Sequence, residues 1–336
     1  MDACYSSSTV VLLLLVLSCM QLVVQGSLDN QYGLRKSYYG VSCPNAEEIV
    51  TKTVTKAVKH DSRSAASLVR LFFHDCFVSG CDGSVLLDNS TTAMSEKEAR
   101  PNINTLRGFG IIERIKESLE NACSETVSCA DILALAARDS VVQTGGPHYD
   151  VLLGRRDSII ANYTGANAVL PSPKFNVTTL TKKFLDVGLT SEDMVTLSGA
   201  HTIGKTHCTS ITTRLYNQSG TTKPDPAIPA EMLRKLQTKC PNDPTDLKTT
   251  LVLDDETPEV FDNQYFKNLL NKRGILYSDQ ILADTEGFNL DLVNLYANDQ
   301  NAFFDAFVKS MTRMGNISPL MGTSGEIRKR CDRVNL

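Results

Sequence analysis

A chain of 336 residues, 42% hydrophobic and 21% charged, is long enough for one large core or two smaller ones, and its composition excludes a fibrous or disordered protein. The formal net charge is -4 with no block of basic residues, which argues against nucleic acid as a partner. Beyond the N-terminal leader no segment is apolar enough to span a bilayer, so no membrane partner is expected of the mature chain.

The leader comes first. Val10 to Leu17, extending loosely to Val24, is the one long apolar run; it is short for a membrane span and precedes small residues near Gly26. That pattern reads as a cleaved signal peptide over residues 1–26, although no Lys or Arg precedes it. Residues 27–336 are then one secreted, extracellular domain, expected to be a monomer. Cys4 and Cys19 leave with the leader. Cys43, Cys76, Cys81, Cys123, Cys129, Cys208, Cys240 and Cys331 remain, an even set that favours four disulfides, with about 105 connectivities open. Sequons at Asn89, Asn162, Asn176, Asn217 and Asn316 point to a glycoprotein.

Helical periodicity dominates the mature chain. Asn45 and Glu48 make a capping-box-like start to a helix through Lys59, with Ile49, Val50, Val54 and Val58 on one face. A second helix begins near Ser64 and runs into Arg70-Leu-Phe-Phe-His74-Asp-Cys76. Gly108 to Asn121 and Ser128 to Thr144 repeat the pattern, the latter stopped by Gly145-Gly-Pro147. Shorter helices are predicted over 180–187 and 191–198, then over 230–239, 263–271, 290–297 and 301–314. Strand signals are scarce, Asp150 to Leu153 being the one candidate. Long polar loops at 88–106, 158–178, 217–229 and 241–262 call for a function, a staple or an ion. The fold class is mostly α with little β, two helical halves flanking a cleft.

Arg70 and His74 are four residues apart, so a helix stacks a guanidinium above an imidazole on one face. A fixed positive charge beside a base of near-neutral pKa suits a peroxide or another acidic oxygen species. A solvated helix face explains the pair about equally well. His60 and His148 sit in polar, turn-like contexts and read as surface residues, and His207 beside Cys208 is ambiguous. His201, in Leu197-Ser-Gly-Ala-His-Thr-Ile-Gly204, ends a helix among small residues that let a flat cofactor approach the backbone. One imidazole on each of two helices is what a haem sandwich needs.

The segments Arg70 to Ser84 and Leu197 to Gly204 closely resemble the two signature segments of the secretory plant haem peroxidases (class III). So do Ser42-Cys-Pro-Asn45, Val127-Ser-Cys-Ala-Asp131, Leu153-Gly-Arg-Arg-Asp157, Phe261-Asp-Asn263, Ser278-Asp-Gln280 and Arg313-Met-Gly-Asn-Ile317, in order along the whole mature chain. The resemblance implies a haem-peroxidase fold with one haem b and two calcium ions. It implies an enzyme that reduces hydrogen peroxide and oxidises small phenolic donors by one-electron steps, in the response to oxidative stress and in lignin and cell-wall phenolic metabolism.

By that resemblance His201 ligates haem iron and Asp279 accepts its ring N–H, though Asp279 also fits a helix N-cap. His74 moves the peroxide proton, Arg70 stabilises the departing charge, Asn102 orients His74, and the Glu96 carboxylate holds Asn102. Phe73 walls off the iron and Pro171 lines the donor entrance. Asp75, Val78, Gly80, Asp82 and Ser84 match one calcium site. Thr202, Asp254, Thr257, Val260 and Asp262 match the other. The implied disulfides are Cys43–Cys123, Cys76–Cys81, Cys129–Cys331 and Cys208–Cys240, and Asp131 with Arg155 matches a buried ion pair.

There are departures. Tyr149 stands where the family often has tryptophan, and Arg100, Lys174 and Ser210 stand where phenylalanines line the haem edge of horseradish peroxidase. A calcium-binding glycoprotein that has lost its chemistry is disfavoured by intact Arg70, His74, Asn102, His201 and Asp279. A metal-dependent hydrolase is disfavoured by the lack of an H-E-x-x-H cluster.

Overall fold

The computed structural model describes residues 33–335 except 244 and 285, so the leader lies outside the described residues. Thirteen α-helices are present there: α1 (Ala46–His60), α2 (Arg63–Cys76), α3 (Phe109–Ala122), α4 (Cys129–Gln143), α5 (Tyr163–Val169), α6 (Val177–Asp186), α7 (Ser191–Ser198), α8 (Cys208–Tyr216), α9 (Ala230–Lys239), α10 (Gln264–Leu270), α11 (Tyr277–Asp284), α12 (Phe288–Asn298) and α13 (Gln300–Met314). Every helix expected from periodicity is among them. α5, α8 and α11 were not foreseen.

α4 is the pillar of the N-terminal half, packing on α1, α2 and α3. Every residue from Cys129 to Val141 is buried, polar ones included. A helix enclosed on all sides must pair its polar groups internally. Asp131 accepts from Arg155 Nη1 at 2.7 Å and from the Tyr39 hydroxyl at 2.7 Å, so the implied ion pair is present. Arg138 bonds Asp139 and Glu47, and Asp139 accepts from Thr51. The N-terminus of α4 is capped twice: Ser128 accepts from the Asp131 amide, and the Asp157 carboxylate accepts from the amides of Cys129 and Ala130. Both arms of Leu153-Gly-Arg-Arg-Asp157 therefore serve one helix.

In the second half α7 packs on α13, α10 on α12, and α11 on both α10 and α12. One hydrophobic cluster runs through both halves, from Val50 and Leu68 to Phe266, Phe303 and Phe307. A smaller one, with Ile211, Leu215 and Leu236, lies under α8 and α9. The four disulfides pair as the resemblance implies.

Two local expectations are overturned. No strand forms over 150–153; Leu153 makes only an isolated bridge to Arg35. The one sheet among the described residues is a short antiparallel pair, β1 (Lys205–His207) with β2 (Thr250–Val252), too brief to show alternation. Asn45 makes no side-chain cap on α1, whereas a capping box closes at Thr190 and Asp193 ahead of α7.

Candidate active site

α2 delivers Arg70 and His74 from the N-terminal half. Leu68, Leu71 and Phe72 bury into the core, which turns Arg70 and His74 the other way. His74 Nδ1 lies 2.6 Å from Asn102 Oδ1, an amide oxygen that can only accept. Nδ1 therefore carries the proton and Nε2 is the free base. Burial, reinforced by the nearby Arg70 charge, holds the His74 pKa well below 6.5, so the ring is neutral at rest. Arg70 donates through Nη2 to the Pro101 carbonyl and to Thr105 Oγ1. Burial lowers its pKa to about 10, which still leaves it cationic at neutral pH.

Asn102 is held by the main-chain carbonyl of Glu96 at 2.8 Å, not by the Glu96 carboxylate as the resemblance implied. The reason is local. Glu96 opens a 3-10 turn whose carbonyl faces Asn102, while its carboxylate accepts from the Asn162 amide.

His201 comes from the other half, in a 3-10 turn (Gly199–Thr202) that continues α7. Its Nδ1 lies 2.9 Å from Asp279 Oδ1, and the same oxygen accepts from the Tyr265 hydroxyl at 3.1 Å. Asp279 sits in the first turn of α11. Burial pulls the His201 pKa down and the Arg70 charge adds to that, but the charge and hydrogen bond of Asp279 outweigh both and raise it. With Nδ1–H donated, Nε2 presents a lone pair. The His201 side chain is partly open, with 40% of its surface exposed. The Arg70 charge lowers the pKa of both histidines, so the guanidinium lies near each of them. Gly204 allows α2 to close on this segment: its φ is +99°, and a Cβ there would meet the Ala66 Cβ at 2.7 Å. This donor set suits a flat metal-centred group, one imidazole free to ligate and one free as a base.

Phe73 is half-buried beside His74, with ring centroids 5.5 Å apart, and packs on Phe77 and Phe184. Pro171 is half-exposed on the loop after α5. Tyr265 was missed because no sequence pattern linked α10 to Asp279.

Immediately after His74, the buried Asp75, Asp82 and Ser84 converge with the Cys76–Cys81 loop that carries Val78 and Gly80. At Gly80 the φ is +108° and any Cβ would strike the Ser318 carbonyl, so only glycine shapes this loop. Ser84 Oγ and Glu96 Oε2 are buried without hydrogen-bond partners. Burial, then the Asp82 charge, pushes the Asp75 carboxyl well up; burial raises Asp82, and raises Glu96 to about 7. Orphaned oxygens among mutually repelling buried carboxyls fit a bound hard cation. Among the described residues no three His, Cys, Asp or Glu side chains converge on one point, so such an ion would also need carbonyl and hydroxyl oxygens.

The second set is also gathered, but its oxygens bond one another. Thr202 donates to Asp262, and Thr257 and Asn268 donate to Asp254, while the side chain of Val260 is exposed.

A family model described as Peroxidase matches residues 50–299. The chain is 54% identical over 298 residues to Peroxidase 72 of Arabidopsis thaliana, covering 89% of this chain and 88% of that protein. It is 51% identical over 304 residues to Peroxidase 15 of Ipomoea batatas, covering 90% and 93%. Against Peroxidase 49 of Arabidopsis thaliana the identity is 49% over 324 residues, covering 96% and 98%.

Proposed function

Because the chain belongs to the plant class III haem peroxidases, we propose that it is a secreted enzyme that uses hydrogen peroxide to oxidise phenolic donors, with roles in oxidative stress and cell-wall phenolic metabolism. One observation carries the reading: two imidazoles from opposite halves, each with Nδ1 tied to an acceptor, share the field of one guanidinium.

Haem, ligated by His201, would supply the two-electron reduction of peroxide and the return of those oxidising equivalents to donors one electron at a time. The chain's own residues do the rest. His74 Nε2, left free by the Nδ1 contact with Asn102, would take a proton from peroxide and return it to the departing oxygen. Arg70 lies one helical turn away, where negative charge grows as the O–O bond breaks. Asn102 keeps Nε2 of His74 unprotonated, Asp279 and Tyr265 fix the His201 ring, and Phe73 keeps bulky molecules from the centre. By the resemblance, a phenolic donor would approach near the half-exposed Pro171, and bound haem would accept its electron.

Calcium in the Asp75, Val78, Gly80, Asp82 and Ser84 set would relieve the orphaned Ser84 oxygen and the raised carboxyls. It would thereby brace the residue next to His74. For the Thr202, Asp254, Thr257, Val260 and Asp262 set, the case for calcium rests on the resemblance alone. With calcium about 100-fold above its dissociation constant, the folded state gains about 2.7 kcal/mol per site. Chelation should therefore lower the unfolding temperature and the activity together, and added calcium should restore both. An unfolding temperature indifferent to chelation removes calcium from the account.

The direct test is peroxide-driven oxidation of guaiacol by the purified mature chain. Radical products should appear as peroxide disappears. Peroxide consumption without donor oxidation, or none at all, overturns the reading.

A further inference from the structure

A cleft of about 270 Å³ opens where the end of α1, the first turns of α2 and the start of α3 meet. Neither Arg70 nor His74 lines it. Ser64, in its wall, precedes Arg70 by six residues, about 9 Å along the helix.

The lining is rich in donors. Arg107 Nη2 donates to Asp61 Oδ2 at 2.6 Å, which leaves Nη1 buried with no hydrogen-bond partner. Arg114, on α3, is exposed, and among the described residues its guanidinium has no carboxylate or hydrogen-bond partner. Its Nη1 lies 3.6 Å from where a Cβ on Gly110 would stand, so the guanidinium folds back over the first turn of α3. That helix starts at Gly108 without a side-chain cap, and among the described residues the Gly110 amide makes no hydrogen bond. Free amides and the helix dipole add positive potential there. Ser64 is only 6% exposed, yet among the described residues its hydroxyl has no partner either.

Asp61 is the only carboxylate in the lining, and it is engaged already. It accepts from Arg107 and, at 3.1 Å, from the Arg63 amide; the Arg107 bond holds its pKa below the usual carboxylate value. Two guanidiniums thus outweigh one carboxylate, on a molecule of net charge -4. A cation would be repelled, and an apolar ligand would leave these donors unpaired. An oxyanion can accept from several of them at once. The volume falls just below the roughly 300 Å³ at which small-molecule sites begin, so the occupant is small.

We propose that this cleft binds a small oxyanion, a di- or tricarboxylate or a phosphate ester, held by Arg107 and Arg114 with Ser64 donating to it. The site is separate from the peroxide chemistry and does not depend on it.

Titration calorimetry of the haem-loaded enzyme with citrate and with glucose 6-phosphate, at low ionic strength, tests this. At least one of them should bind once per chain without moving the Soret band. Tighter citrate assigns carboxylates as the ligand class, and tighter glucose 6-phosphate assigns phosphate. Arg107→Ala combined with Arg114→Ala should weaken binding at least about tenfold. Arg114→Ala alone, which breaks no contact within the protein, should cost about two- to fivefold, and Ser64→Ala about threefold. Lys182→Ala with Lys235→Ala removes the same charge from exposed helix pairs outside the cleft and should leave binding unchanged. Failure of both anions to saturate the wild type overturns the proposal. So do binding untouched by the arginine variants, an equal loss in the lysine control, or a Soret shift that puts the anion at the haem.

Discussion

A His74→Ala enzyme is expected to consume hydrogen peroxide about 10²- to 10⁴-fold more slowly than the wild type, the cost of losing a positioned acid–base group. Geometry is the first reason. Only a ring whose Nδ1–H is already donated can offer Nε2 to a peroxide proton, and Asn102 accepts that N–H at 2.6 Å. The electrostatics agree: burial and the Arg70 charge hold the ring neutral, so the base is ready before substrate arrives. A protonated His74 cannot accept a proton. Because its pKa lies well below 6.5, the wild-type rate should stay level as pH falls through 6.5 and decline only in more acid solution. Stopped-flow measurement at pH 7, with the Soret band confirming haem retention, decides the matter. A loss smaller than about tenfold would assign the proton transfer elsewhere.

Asp131→Ala should be the most damaging change away from the active site, destabilising the protein by about 3–5 kcal/mol. The side chains of Asp131 and Arg155 are 0% and 2% exposed. Removing the carboxylate strands a buried guanidinium and takes an acceptor from the Tyr39 hydroxyl and the Gly154 amide. Arg155 also donates to the Gly315 carbonyl just past α13, so the damage spreads to the second half of the chain. Asp131→Asn, which keeps shape and an acceptor oxygen, should cost less. Denaturant unfolding with the disulfides intact measures both. A cost under about 1 kcal/mol for the alanine variant would mean that Arg155 finds water or another partner.

Long helices were legible because their burial is one-sided or complete over three or more turns. α1 shows its Val50 and Val54 stripe, and α13 its Phe303, Phe307 and Met311 stripe. α8 was not legible. Cys-Thr-Ser-Ile-Thr-Thr is a weak helix former, and what holds it is remote: the Cys208–Cys240 disulfide and a small core with Leu236. α5 has a Gly165 within one short segment and depends on the Asn162 cap. At the site, the spacing of Arg70 and His74 could be read directly from helical geometry. The join of His201, Asp279 and Tyr265 spans three separate elements; the small neighbours of His201 marked it out, and only the resemblance paired Asp279 with it. For Glu96 the position was anticipated but the working atom was not. Whether a carbonyl or a carboxylate faces Asn102 depends on a 3-10 turn that residue types do not specify.

The central claim is that two imidazoles face one haem and only His201 bonds its iron. Haem titration into the purified chain, followed by the Soret band, tests it most directly. Wild type and His74→Ala should each take up one haem with a histidine-ligated spectrum, whereas His201→Ala should bind haem weakly and lose that signature. A His201→Ala protein that keeps the wild-type spectrum, or a His74→Ala protein that loses it, would contradict the account.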